Sequence, residues 1–269
     1  MESLPLVLYT LMLEITAGSF AVLMLTDFRA EVGRSFLITG GLSALATAGI
    51  ARWVGNAVIF QNGQKAYPTD FSWDGFQNFW LNASLVLLVL YNLLVWLGTD
   101  KARRIVGIAA LVATSLTLLG NALLYRGDYL GGWIAPFSFI AGAASVGAVL
   151  TGMLLGHWYL VTPALSVAPL ARINTLFFWA LIAQAGLVLV NLGPWASGAG
   201  QMWEQYGTVF WLRAAVGIVF PLVLAVATWQ TCKIKAHMSS TGFLYVALAC
   251  VLAGEIVSRV ILFQTYVPL

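Results

Sequence analysis

The sequence predicts an all-α, polytopic membrane protein with eight transmembrane helices. Three observations carry that expectation. Of 269 residues, 61% are apolar and only 9% charged, with a mean hydropathy of +0.90, whereas soluble domains carry about a quarter charged residues. The apolar residues fall into runs long enough to cross a hydrocarbon core of about 30 Å, which takes about 20 helical residues. Short polar segments punctuate the runs, leaving no stretch for a soluble domain.

The runs cover about 4 to 26, 36 to 60, 76 to 97, 104 to 125, 134 to 160, 174 to 193, 207 to 230 and 240 to 264. The first follows Met1-Glu2-Ser3, which has no basic segment, so it reads as a helix rather than a cleaved signal. It carries Glu14 near its middle. The second carries Arg52 and Asn56, the third opens on Asn78 and Asn82, and the fourth holds Asn121. The connection Arg126-Gly127-Asp128-Tyr129-Leu130-Gly131-Gly132 then divides a single integral membrane domain, 1–269, into four-helix halves, 1–130 and 131–269.

The fifth run closes on Gly156-His157-Trp158-Tyr159-Leu160. In the sixth, Ala183-Gln184-Ala185-Gly186 echoes Ala46-Thr47-Ala48-Gly49 of the second, as Gly254-Glu255 in the eighth echoes Gly120-Asn121 in the fourth. With an even number of helices per half, such a repeat is parallel, unlike the inverted repeats of many transporters. Arg213 in the seventh run lies near enough to its outer end to snorkel. Glycines 18, 40, 41, 49, 55, 142, 147, 152 and 156 supply small faces for helix contact.

Alternate connections differ in charge. Arg29, Arg34, Lys101, Arg103, Arg104, Arg172, Lys233 and Lys235 fall on one side, against Lys65 and Arg126 on the other. The positive-inside rule makes the first side cytoplasmic, so both termini and the loops about 61 to 75 and 194 to 206 face outward, in the inner (cytoplasmic) membrane of a cell. Trp73, Trp133, Trp195 and Trp203 lie on the outer side. They read as an interfacial aromatic belt or as a docking surface for an extracytoplasmic partner.

An ionisable group in mid-bilayer costs about 2.5 to 3.5 kcal/mol on the insertion scale and persists where it is paired, hydrated or functional. Glu255 and Arg259, four apart, share a helix face and can neutralise one another. Asn78 and Asn82 share a face as interhelical glue or as donors to a ligand carbonyl. Glu14 has no partner in its own helix, and reads as neutral, as paired with Arg52, or as part of a proton path. His157 ligates a metal, bonds a quinone oxygen or caps its helix end.

Several chemistries are excluded. Cys232 and Cys250 cannot hold an iron–sulfur cluster, which needs about four ligands. One histidine, His157, lies in a span and His237 in a loop, so a bis-histidine haem does not fit, although Met153 one turn before His157 leaves an unusual ligation formally open. No zinc spacing and no glycine-rich phosphate loop occur, and nothing resembles a nucleic-acid surface.

On these residues the chain resembles the membrane-anchor subunits of the dimethyl sulfoxide reductase type, within the broader NrfD and polysulfide reductase anchor group. Thr16-Ala17-Gly18-Ser19-Phe20 is similar to the Ala-Gly-Gly-Phe sequence of that family's first helix. Leu252-Ala253-Gly254-Glu255-Ile256-Val257-Ser258-Arg259, with Phe263 after it, is similar to its closing Gly-Glu-x-x-x-Arg. The resemblance implies a haem-less anchor subunit of a respiratory oxidoreductase complex, without an iron–sulfur cluster of its own. Such a subunit oxidises menaquinol or ubiquinol near the outer face in anaerobic respiration. It passes the electrons to a four-cluster ferredoxin-like iron–sulfur subunit, beside a molybdopterin catalytic subunit that carries out the terminal reaction. One departure stands out: where those anchors carry His-Leu-Gly after the second helix, this chain reads Phe60-Gln61-Asn62-Gly63-Gln64-Lys65-Ala66-Tyr67-Pro68.

Quinol oxidation releases two electrons and two protons, so it needs an apolar slot, partners for two oxygens and a titratable acceptor. Glu14 and Glu255 are the expected proton acceptors; Arg52, Asn78, Asn82, Arg259 and His157 are the expected quinol contacts, with no metal. The competing class is a transporter or channel for a small molecule, independent of redox partners. A lipid-modifying enzyme is disfavoured, because His157 is far in depth from the carboxylates.

Overall fold

A computed structural model describes residues 4–56, 70–126, 133–162, 165–197, 201–265 and 267–269. Among them there is no strand. The helices are α1 (Leu4–Phe28), α2 (Arg34–Val54), α3 (Asp74–Leu97), α4 (Asp100–Leu124), α5 (Ile134–Val161), α6 (Ala168–Ser197), α7 (Gln201–Ala214), α8 (Phe220–Lys233) and α9 (His237–Thr265). A π-helical segment, Ala215–Val219, joins α7 to α8, so these two form one span. The described residues thus hold eight helical spans long and apolar enough to cross a membrane, as in a multi-pass membrane protein.

Several ends differ from the sequence expectation. The second helix stops at Val54 instead of about 60; Gly55 and Asn56 continue it as a π turn, and 57–69, with Lys65, lie outside the described residues. The sixth runs from 168 to 197 rather than 174 to 193, taking into its first turns Arg172, whose side chain is exposed and pairs with Glu31 after α1. The seventh begins at 201 and contains the π segment. Connection 127–132 and the side chain of Trp195 also lie outside the described residues.

Chain direction alternates, so one end of the bundle, the terminal end, gathers the start of α1, the end of α2, the start of α3, the end of α4 and the end of α9. At the opposite end Gly98, left-handed at φ 79°, closes α3 by donating its N–H to the Leu94 and Val95 carbonyls, and Asp100 opens α4 where an acid favours the helix dipole. Also there, the buried Asp27 takes Arg103 at 2.8 Å and accepts the Tyr91 hydroxyl at 3.2 Å, tying α1 to α3 and α4.

α1 and α5 are the inner helices: 83% and 72% of their central residues are buried, against 28–50% for the other spans. α1 packs on α2, α4, α5 and α9, and α5 packs on α1, α4, α6 and α9. The outer helices turn Trp53, Phe79, Trp96, Ile105, Leu189 and Trp211 outward, an apolar hull suited to lipid. The α1–α5 approach is set by glycine. A Cβ on Gly18 would sit 1.8 Å from the Ala143 carbonyl oxygen, and one on Gly147 2.0 Å from the Gly18 carbonyl carbon. Both obstacles are backbone, which cannot rotate away. Gly49, also expected to pack, meets nothing within 4 Å.

Gly18→Ala is therefore expected to destabilise the bundle by about 1–3 kcal/mol, the usual cost of overpacking, despite alanine's better helix propensity. Gly49→Ala should be neutral or slightly stabilising. Thermal unfolding of both variants in mild detergent checks the contrast.

Candidate functional site

Besides the Asp27–Arg103–Tyr91 contacts at the opposite end, two polar clusters stand out inside the bundle, and α1 touches both. The first is charged. Arg259, on α9, reaches across α5 to place Nη2 2.5 Å from Glu14 Oε1 and 3.3 Å from Glu255 Oε2. Its Nη1 donates to Ser138 Oγ at 3.2 Å, and its guanidinium carbon lies 4.3 Å from the centre of the Phe139 ring. Glu255 Oε1 in turn accepts from Arg213 Nη1 at 3.1 Å and from Gln184 Nε2 at 2.7 Å. Gln184 closes the ring, its Oε1 accepting from Arg213 Nη2 at 3.1 Å and its amide donating to Ser145 Oγ at 2.8 Å.

The network draws on α1, α5, α6, α7 and α9, and its two acids and two guanidiniums balance. Its position follows from Gly142, where a Cβ would lie 2.7 Å from Glu255 Oε2 and 2.8 Å from Arg259 Nη2: bare α5 backbone is what lets the charges close over it. Not every atom is satisfied. Glu14 Oε2 and the Nε atoms of Arg213 and Arg259 are buried without a hydrogen-bond partner.

The second cluster lies at the terminal end, among α1 to α4. Gln77 Nε2 donates to Tyr9 Oη at 2.9 Å and to Asn121 Oδ1 at 3.1 Å; Asn121 Nδ2 donates to Thr10 Oγ1 at 3.2 Å. Thr10 lies one turn from Glu14, so a polar chain crosses α1 from one cluster to the verge of the other. Beside it, Arg52 Nη1 donates to Asn78 Oδ1 at 3.2 Å, and Asn78 Nδ2 to Asp74 Oδ1 at 3.1 Å. Tyr125, just past α4, has a buried hydroxyl with no partner. Burial, then Tyr9 and Asp74, push its pKa up, so it stays a donor.

At the rim, Asp70 accepts from Ser72 at 2.6 Å and pairs with Arg126 at 3.3 Å. The Ser72 hydroxyl holds this carboxyl below its ordinary range. The stabilisation is present above the unfolded carboxylate pKa and fades as pH falls through the lowered folded value.

Of the expected residues, Glu14, Glu255 and Arg259 come together, while Arg52 and Asn78 meet in the other cluster. Glu14 pairs with Arg259, not with Arg52. Asn82, despite sharing a helix face with Asn78, turns to the hull, where it lines a groove of about 450 Å3 with Phe79, Ala83, Val86 and Leu87. A second groove of about 310 Å3, lined by Leu45, Leu85, Val86, Val89 and Leu90, continues along α3 against α2. His157 belongs to neither cluster: it is exposed near the opposite end, 3.5 Å from the Tyr245 hydroxyl. His237 stacks on Tyr159.

Arg213 does not snorkel. Its side chain is 2% exposed, held inside by Glu255 and Gln184. Gln184 and Gln77 were not expected as site residues; the likeness of Gln184 to Thr47 was the sequence signal for the former, and Gln77, one residue before Asn78, gave none. No group of three or more His, Cys, Asp or Glu able to hold a metal occurs among the described residues.

Removing one partner of a buried ion pair leaves an uncompensated charge, at about 3–5 kcal/mol. Arg259→Met should cost that much in stability, lowering the unfolding midpoint, and Glu14→Gln/Arg259→Met, which removes one charge of each sign, should recover most of it. Equal instability of the single and double variants would mean that charge balance is not what holds this seam.

The chain matches no protein-family model and no curated protein.

Proposed function

We propose that this chain is a haem-free, quinol-binding membrane subunit of a respiratory oxidoreductase complex. The observation that carries the reading is the part-buried hydrogen-bonded row of Arg52, Asn78 and Asp74 at the terminal end, on the same helix α3 whose lipid-facing side carries the two shallow apolar grooves. An isoprenoid tail fits a shallow apolar groove open to lipid, and a quinol ring needs hydrogen-bond partners at both oxygens. Arg52 and Asn78 supply a donor and an acceptor for one oxygen; the unpartnered Tyr125 hydroxyl supplies a donor toward the other.

Protons have two destinations. Asp74 accepts at the membrane rim, and Glu14 lies at the end of the Tyr9–Gln77–Asn121–Thr10 chain. Electrons leave to an iron–sulfur subunit seated on the terminal end, where Trp133 and Phe71 are exposed, and from there to a molybdopterin subunit. In this reading the chain forms two four-helix halves with both termini extracytoplasmic, in an inner membrane, and the quinol is menaquinol or ubiquinol.

A carrier for a small molecule is the second reading. It is favoured by the π segment Ala215–Val219, where Gly217 packs directly on Gly254 beside Arg213, since π segments often sit at functional sites. It predicts activity without redox partners.

Purification in mild detergent decides between them, with mass spectrometry for co-purifying subunits and quinone and an optical spectrum for haem. Quinone together with a cluster-bearing subunit is the expected result; a solitary, quinone-free protein sinks the proposal. In the assembled complex Asn78→Leu, which strips Arg52 of its acceptor, should raise the KM for quinol about five- to tenfold, the worth of about one hydrogen bond. His157→Ala should leave it unchanged.

A further inference from the structure

The two halves repeat one another in their polar contacts. In the first, Thr16 on α1 meets Thr47 on α2 at 2.7 Å; in the second, Ser145 on α5 meets Gln184 on α6 at 2.8 Å. Gln77 on α3 meets Asn121 on α4 at 3.1 Å; Arg213 on α7 meets Glu255 on α9 at 3.1 Å. Gly120, before Asn121, lies against Gln77, and Gly254, before Glu255, lies against Arg213. Gly18 and Gly147 face each other where α1 crosses α5, the place for a two-fold axis relating the halves. The helix neighbours agree: α1–α2, α2–α3, α3–α4 and α4–α1 answer to α5–α6, α6–α8, α8–α9 and α9–α5.

Neutral amides therefore fill in the first half the position that an ion pair fills in the second. A Gln–Asn hydrogen bond satisfies the packing of two helices here without the desolvation cost of two buried charges. Packing alone then gives no reason for charge in the second copy.

We infer that Arg213 and Glu255 are the charged copy of a site that occurs twice in the chain, and that their charge serves proton exchange between Glu255 and Glu14. This rests on the role of Glu14 as a proton acceptor proposed for quinol oxidation. Arg259 Nη2 lies between the two carboxylates, 2.5 Å from one and 3.3 Å from the other. A proton bound by Glu14 turns Arg259 wholly to Glu255; when the proton leaves the Glu14 O–H and binds Glu255, the guanidinium turns back, and the charge of the network is unchanged by the transfer. Among the described residues, the charged groups facing the pair are Arg259 and Glu255 on α9, Arg213 on α7 and Glu14 on α1, while α5 and α6 contribute neutral Ser138, Ser145 and Gln184. Arg213 acts as a positioning residue, holding Glu255 from the side away from Arg259.

Two charge-balanced variants of the full chain test this, Arg213→Gln/Glu255→Asn and Glu14→Gln/Arg259→Met. Each keeps one carboxylate with one guanidinium. Thermal unfolding and the infrared band of protonated carboxyl groups, followed as pH is stepped, are measured on the purified protein without quinol, so the outcome is independent of the quinol assay. Arg213→Gln/Glu255→Asn is expected to unfold within a few degrees of the wild type, as its counterpart Gln77–Asn121 implies. Beside the band of the exposed carboxyls that all three proteins share, Asp70 and Asp100 among them, a further pH-dependent carboxyl band is expected in the wild type and in neither variant, because the proton is shared. Failure of Arg213→Gln/Glu255→Asn to fold overturns the equivalence of the two copies. Absence of that further band in the wild type, or its survival in either variant, overturns proton sharing.

Discussion

The guanidinium of Arg259, wedged between two carboxylates on different helices, is the contact on which the rest of the bundle depends. Arginine has the geometry for this: its planar fork presents several donors at fixed angles, so one side chain answers Glu14 on α1, Glu255 on its own helix and Ser138 on α5. Deep among apolar helices, none of those charges is tolerated alone. Together they fix where α1, α5 and α9 stand, and Gln184 and Arg213 extend the same constraint to α6 and α7.

That constraint needs thin walls. Gly142 leaves bare backbone beside the charges, Gly18 and Gly147 bring α1 and α5 into backbone contact, and Gly217 meets Gly254 where α7 passes into α8. Helices held by apolar side chains alone would stand too far apart for a guanidinium to span, because lipid tails compete equally for such side chains and supply no drive to pack. Close approach through glycine and charge pairing are thus two sides of one arrangement. The π segment is part of it: its extra residue per turn brings Gly217 onto Gly254 while Arg213 still reaches Glu255.

The terminal-end cluster is built on other lines. Its members are mostly neutral, and it lies at the terminal end of the bundle, among α1 to α4. The charged network, by contrast, is buried and draws on α1, α5, α6, α7 and α9. α1 joins the two because Thr10 and Glu14 fall one turn apart on a helix buried on nearly every side.

Composition and run length alone determined that this chain has eight spans fit to cross a membrane, and the i,i+4 spacing of Glu255 and Arg259 announced their contact, because both follow from helix geometry and the cost of charge in hydrocarbon. The likeness of Gly120-Asn121 to Gly254-Glu255 was legible as well. Which helices meet was not. Glu14 found Arg259 instead of Arg52, Arg213 turned inward instead of snorkelling, and Asn82 parted from Asn78 to face the hull. Each of these depends on the neighbours of a helix face, and in a bundle of uniformly apolar helices periodicity does not say which face is inside. Only tertiary packing, set by a few glycine contacts far apart in the chain, decided it.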